Sequence, residues 1–341
     1  MQFDLMTAGL PLRRMQQLAV DAEAAGFSGL VVTESGRSAY LSCATAALAT
    51  ELDILTGIAV AFPRSPMVTA QVAWELAELA PGRFRLGLGT QVRAHIERRY
   101  GSEFDHPGPR LKEYVEAVRA IFDSFRHGTP LAHDGEFWKL SLLPAMWAPG
   151  PIDAPDPAID VSAVNPWMLR MAGEVADGVH VHPLNTPTYL AETVLPEIEA
   201  GAAKAGRTRA DLQVIVPTFA APGNTSEEVN ALREMARIQT AFYGSTPNYG
   251  FIFEQVGFEG TTERIREKQK AGDVAGMAAC ISDELLEHFC VSGDWASVAD
   301  QLIARHSGVA DRVVSYFAGM EWAKDPARLG PWGDLAEAVR A

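Results

Sequence analysis

The sequence predicts a closed (β/α)8 TIM barrel, an α/β fold of parallel strands with a helical insertion between strands seven and eight. Three observations predict it. Short runs rich in Val, Ile, Leu and Phe recur eight times between glycine, proline or aspartate residues. Helical stretches with 3.6-residue apolar spacing separate them. At 341 residues and 48% hydrophobic content, the chain can bury a barrel core as one domain. Each parallel strand needs a right-handed crossover, and eight such units close into a barrel; a doubly wound sheet is the runner-up.

The strands are expected at 2–6, 29–33, 54–60, 83–89, 158–163, 178–182, 212–219 and 312–317. Between the first two, Leu12, Met15, Leu18, Ala22 and Ala25 form one apolar face, and Gly26 supplies a C-cap. After the fourth, Leu111, Tyr114, Val118, Ile121 and Phe125 repeat at helical spacing. Residues 127–157 are rich in Pro and Trp and read as a long loop with a short hairpin. After strand five, Asn165-Pro166 reads as an N-cap followed by proline at the first helical position. Residues 224–310 are mostly helical and open with Thr225 and Glu228 at capping-box spacing. The chain 1–341 is then a single domain with insertions at 127–157 and 224–310.

A net charge of −14 argues against nucleic acid, which needs a basic face, and disfavours an anionic membrane surface. An anionic ligand would need a local basic pocket or helix N-termini. The start MQFDLMTAGL lacks a signal-peptide pattern, and no apolar run approaches the ~18 residues of a membrane span. Cys43, Cys280 and Cys290 show no metal spacing, and an odd count suits a reducing compartment. A cytoplasmic protein acting on a small molecule is expected.

Strand four runs into an unusual sequence, GRFRLGLGTQVRAHIERRYG. Alternation turns Phe84, Leu86 and Leu88 towards the helices and Arg85, Gly87, Gly89 and Gln91 inward. Small inward residues leave room for a flat ligand or allow close backbone approach. The charged run follows at the strand's C-terminal end, where barrels place their chemistry. A packed core followed by a solvated helix start is the competing reading. His180 and His182 share one strand face. A metal there would need further ligands, and Asp160 and Asp4 make no coherent set, so no metal is expected. His182 is expected to line the mouth and His180 to be a hydrogen-bonded core histidine.

Two longer stretches, TGIAVAFPRSPMVTAQVAWELAELAPGRFRLGLGTQ (56–91) and MLRMAGEVADGVHVHP (168–183), resemble the bacterial luciferase-like superfamily. Within it, LGTQVRAHIERR and AFYGSTPNY (241–249) are most similar to a mycobacterial-type subgroup of F420-dependent oxidoreductases. The resemblance implies FMN or the deazaflavin coenzyme F420 at the C-terminal mouth, with its ring against strands three and four. It implies a non-prolyl cis peptide in a bulge at the end of strand three. The matching bond is Gly57–Ile58, with Ala59 beside it. In sugar-phosphate dehydrogenases of the superfamily, a GTGExxN segment contacts the deazaflavin. Its Thr matches Thr90 and its Asn matches His95, with Gln91 between them. In luciferase the position of Thr90 is an arginine that holds the FMN phosphate, so threonine favours F420, with FMN as the alternative. The phosphate is expected at Asn165, Trp167 and Met168, where a helix start offers free amides; an ordinary capped helix is the competing reading.

Many members carry a catalytic histidine after strand two in an EH or DH pair. Here the sequence is TES, with Ser35 in the histidine's place. Two groups are candidates for the catalytic proton: Glu34, unless it pairs with Arg64 or Arg37, and His95, unless it only positions ligand. Arg98, Arg99 and Arg110 form a solvated face or receive the polyglutamate tail of F420. The loop with Trp138 and Trp147 covers the mouth, packs on the barrel or meets a second subunit. The expected function is hydride transfer between F420 and a small organic substrate. The alternatives are an FMNH2-dependent two-component monooxygenase and a non-catalytic flavin-binding barrel. The resemblance also implies a homodimer.

Overall fold

The computed structural model describes residues 1–341. Its barrel strands are β1 (Gln2–Ala8), β2 (Gly29–Thr33), β3 (Asp53–Thr56), β4 (Phe84–Gly89), β5 (Ala158–Ala163), β6 (Gly178–Val181), β7 (Gln213–Pro222) and β8 (Arg312–Ser315). All pair in parallel in chain order, and β8 returns to β1, so the ring closes. No helix is long and apolar enough to cross a membrane.

Three local features differ from the sequence reading. The third strand breaks after Thr56 and resumes as Ala59–Val60 against Leu88 and Gly89; the Gly57–Ile58 peptide between them is cis. Apolar residues continue through the break, so periodicity alone joins the two pieces. β7 runs on to Pro222, and Cys290–Gly293, inside the helical insertion, pairs in parallel with that extension. At the start of helix Ser226–Gly244, Thr225 accepts from the Glu228 amide, but the Glu228 carboxylate takes the amide of Asn224 instead of Thr225.

The other elements follow their sequence signals. Helix Leu12–Ala24 buries Met15, Leu18 and Ala22, leaves Leu12 exposed, and is followed by Gly26 at φ 89°. Helix Pro107–His127 buries its whole predicted face. The 127–157 segment contains a hairpin of His133–Asp134 with Lys139–Leu140. The buried Glu113 carboxylate anchors it, accepting the amides of Glu136, Phe137 and Trp138 at 2.9, 2.8 and 2.7 Å.

Strand alternation sorts the barrel interior into layers. At the base, Arg312 donates to both Asp4 oxygens at 2.7 Å and to Asp53 at 2.8 Å. Arg85 pairs there with Asp160. Buried charges persist only when paired in this way. Above them, Met6, Val31, Leu55, Ile215 and Val314 form an apolar plug, and Tyr316 packs on it. Phe84, Leu86 and Leu88 face outward into the larger core shared with the helices, as the alternation predicts.

Candidate active site

The strand ends above the plug form the mouth. After β2, Glu34 is buried and forms a bidentate pair with Arg64, at 2.5 and 2.9 Å. Its Oε2 also accepts the Val60 amide at 2.8 Å, and its own amide donates to the Ile58 carbonyl at 3.3 Å. Of the two roles left open for Glu34, pairing with Arg64 is therefore present. Arg64 also lies over the Tyr40 ring, 5.0 Å from its centroid.

Gly57 and Ile58 are half-exposed between buried residues, and the Ile58 amide donates to no group in the protein. This bulge is thus partly exposed and carries one unused donor. Ala59 is fully buried behind it.

Gly87 and Gly89 do face inward, but they do not leave open space. A Cβ at Gly87 would sit 2.0 Å from the Thr56 carbonyl and 2.7 Å from His180 Nε2. One at Gly89 would sit 2.5 Å from Ser162 Oγ and 2.7 Å from Ile58 Cδ1. The room that glycine creates is filled by the bulge and by His180. The glycines therefore seat the bulge, and a ligand would meet the bulge itself.

Beyond β4, the Thr90 hydroxyl donates to the Gln91 carbonyl at 3.0 Å. Gln91 adopts a left-handed φ of 58°, and its side chain accepts the Val92 amide at 3.0 Å. His95 is solvent-exposed on the short helix Arg93–Arg98, and its side chain has no protein partner. Arg99 donates to the Ser35 carbonyl and ties this helix to the end of β2. Arg110 pairs with Asp105 and lies over Phe62, Phe137 and Trp138, so it is committed to packing. Trp138 packs edge-on against Tyr114, whereas Trp147 is 69% exposed.

Asn165 caps helix Pro166–Val175 by accepting the Met168 amide at 3.0 Å. That amide is already used, so of the expected phosphate amides those of Asn165 and Trp167 stay open. The Trp167 ring covers Gly108, where a Cβ would sit 2.4 Å from it.

His180 lies below Gly57 and Gly87, with Nε2 3.7 Å from Asp160 and no hydrogen bond. It is a core histidine, but not the hydrogen-bonded one expected. Burial drives its pKa down to about 4, partly opposed by Asp160. His182 stands just past β6 between the rings of Tyr243 and Tyr249, with centroids 4.7 and 4.6 Å away. The side chains nowhere bring three His, Cys, Asp or Glu residues together as a metal would need. Sequence reasoning used Tyr243 and Tyr249 only as part of a family-like run, because no spacing rule ties either to His182. A separate cleft of about 430 Å³, lined by Ile238, Phe242, Val274 and Met277, lies between insertion helices and not over the strand ends.

The family model described as luciferase-like monooxygenase matches residues 2–312. The chain belongs to this family. Among its luciferase-like relatives, an uncharacterized protein of Mycobacterium tuberculosis is 38% identical over 307 residues, covering 90% of each chain. A 5,10-methylenetetrahydromethanopterin reductase of Archaeoglobus fulgidus is 28% identical over 291 residues, covering 82% of each. The coenzyme F420-dependent tetrahydromethanopterin reductase of Methanopyrus kandleri shares the luciferase-like barrel. Its TM-score is 0.77 over 97% of each chain, at 21% identity.

Proposed function

We propose that this luciferase-like protein is an F420-dependent oxidoreductase that exchanges a hydride with a small organic substrate at the C-terminal mouth. Thr90 carries this reading. Where luciferase holds the FMN phosphate with arginine, this chain has a threonine whose hydroxyl turns back to the Gln91 carbonyl. Three arginines around that strand end are engaged elsewhere, Arg64 by Glu34, Arg99 by the Ser35 carbonyl and Arg110 by Asp105, whereas Arg98 is exposed and unpaired on helix Arg93–Arg98. The methanopterin reductases, one of them named as F420-dependent, agree with this reading.

The residues present fit a flat, carbonyl-edged ring. Gly57 and Ile58 are half-exposed at the end of β3, and the unpaired Ile58 amide is a donor that such an edge would use. Thr90, Gln91 and His95 stand at the rim of the same strand end. When bound, the coenzyme supplies the hydride chemistry, and the protein supplies position and proton handling. Glu34 has both carboxylate oxygens committed and holds the bulge through its amide. It acts as a positioning residue. His95, exposed and unpartnered, is the group free to carry a proton beside β4.

Titration with oxidised F420 and with FMN, followed by fluorescence quenching and calorimetry, tests the reading. F420 is expected to bind at least about tenfold more tightly, a difference of about 1.4 kcal/mol. Tighter FMN binding would overturn it and make the family's monooxygenase chemistry the working assignment.

A further inference from the structure

The AFYGSTPNY run has no part in the cofactor reading, yet it reaches the mouth. Tyr243, near the end of helix Ser226–Gly244, and Tyr249, in the turn Pro247–Tyr249, flank the His182 ring. The Tyr243 hydroxyl lies 2.6 Å from that of Tyr316, which rests on the apolar plug. Gln239 Oε1, at 3.4 Å, is a second and longer acceptor that competes with Tyr243 for the single Tyr316 proton. His182, Tyr243, Tyr249 and Tyr316 are all half-buried. The cluster crowns β6 and β8, across the barrel from the cis bulge at β3.

His182 Nδ1 accepts the Leu184 amide at 3.0 Å. Burial lowers the pKa of His182 to about 3, so the ring is neutral at ordinary pH. A neutral imidazole whose Nδ1 accepts carries its proton on Nε2. That N–H has no partner in the protein and is a fixed donor. The tyrosine pair adds an adaptable hydroxyl: when Tyr316 gives its one proton to Tyr243 at 2.6 Å and not to the more distant Gln239, the Tyr243 O–H is free to point outward, and otherwise Tyr243 donates to Tyr316. No ionised side chain acts on any of the four residues. An anion placed here would lose water without gaining a counter-charge and would meet the negative faces of the rings.

We propose that His182, Tyr243, Tyr249 and Tyr316 form the substrate-recognition wall of the mouth, selecting an uncharged ring-shaped molecule whose carbonyl oxygen accepts the His182 Nε2–H. This proposal rests on the oxidoreductase reading for the identity of the site. The aromatic rings supply contact area, and the fixed donor orients the carbonyl.

The test uses cyclohexanone and cyclohexanecarboxylate as probes. Each is titrated into the full-length protein, with and without saturating oxidised F420, and binding is read by saturation-transfer NMR. The wild type should take the ketone and reject the carboxylate. The variant His182→Phe keeps a ring but loses the donor. It should bind the ketone about tenfold more weakly, as loss of one hydrogen bond implies, with F420 affinity unchanged and the melting temperature slightly lowered by the stranded Leu184 amide. His182→Gln, whose longer side chain can place an amide N–H near the Nε2 position, should recover part of the loss. Tyr243→Phe should weaken the ketone independently. Equal ketone binding by wild type and His182→Phe would overturn the proposal. So would a preference for the carboxylate, or binding of neither probe. Parallel loss of F420 and ketone binding in His182→Phe would assign the wall to the cofactor and also overturn it. Failure of the wild type to bind F420 strikes the functional reading alone, because the ketone titration without coenzyme still tests the wall.

Discussion

Replacing Glu34 by glutamine separates its two possible roles. The substitution keeps the shape and removes the charge. A glutamine amide cannot accept at both ends, so either Arg64 Nη2 or the Val60 amide faces a donor. Loss of one charge-assisted hydrogen bond costs about 1.5–3 kcal/mol. Breaking a fully buried pair costs about 3–5 kcal/mol. The Arg64 side chain is 23% exposed and keeps the Val60 carbonyl at 3.0 Å and the Tyr40 ring, so its stranded charge is partly solvated. The sum is a loss of about 2–4 kcal/mol. With an unfolding entropy of about 2.1 cal/mol/K per residue, this corresponds to a fall in Tm of about 3–6 °C for a chain of this length. Scanning calorimetry of Glu34→Gln, Arg64→Met and the double variant measures it, with an expected coupling of about 2 kcal/mol. An unchanged Tm together with abolished turnover would refute the reasoning, since the carboxylate would then serve chemistry and not the bulge.

Other perturbations follow from the packing and the buried histidines. Gly89→Ala should lower stability by about 1–3 kcal/mol, because the atoms nearest its Cβ belong to the side chains of Ser162 and Ile58 and not to backbone. Gly87→Ala, which meets the Thr56 carbonyl, should destabilise more, and urea melts of both variants give the order. His180 and His306, with pKa values lowered by burial to about 4 and about 3, bind protons more readily when unfolded. Their stabilising contribution is complete above about pH 6.5 and is lost as pH falls below it, by about 2 kcal/mol each at pH 5. Urea unfolding between pH 7.5 and 5 measures the slope, and His306→Gln should remove about one proton from it. Glu113→Ala strands three hairpin amides; protease cleavage within residues 133–140 should accelerate well before global unfolding.

The barrel was legible because its signals are local. Alternation, caps such as Asn165 and glycines such as Gly26 act within a few residues, and most strands fall where their apolar runs lie. The break at residues 57–58 was legible only through family resemblance, since a peptide isomer leaves no mark on side-chain pattern. Glycine positions on β4 were readable, but their meaning was not: whether a missing Cβ makes a hole or a seat depends on Thr56, His180 and Ser162, which come from other strands. Glu34 had two arginine partners on paper, and only packing selects Arg64, 30 residues away. The wall around His182 joins Tyr243 to Tyr316 across 73 residues, a separation no spacing rule covers.

The ion pair at the base of the barrel has a consequence for how the protein is made. Asp4 waits for Arg312, 308 residues later in the chain. At about 5–20 residues per second, a ribosome needs roughly 15–60 s to deliver that arginine. Until then the first strand cannot adopt its buried position with its carboxylate paired. Growing chains therefore stay open at this seam through nearly all of synthesis. A product truncated before β8 has neither the partner for Asp4 nor the strand that closes the ring.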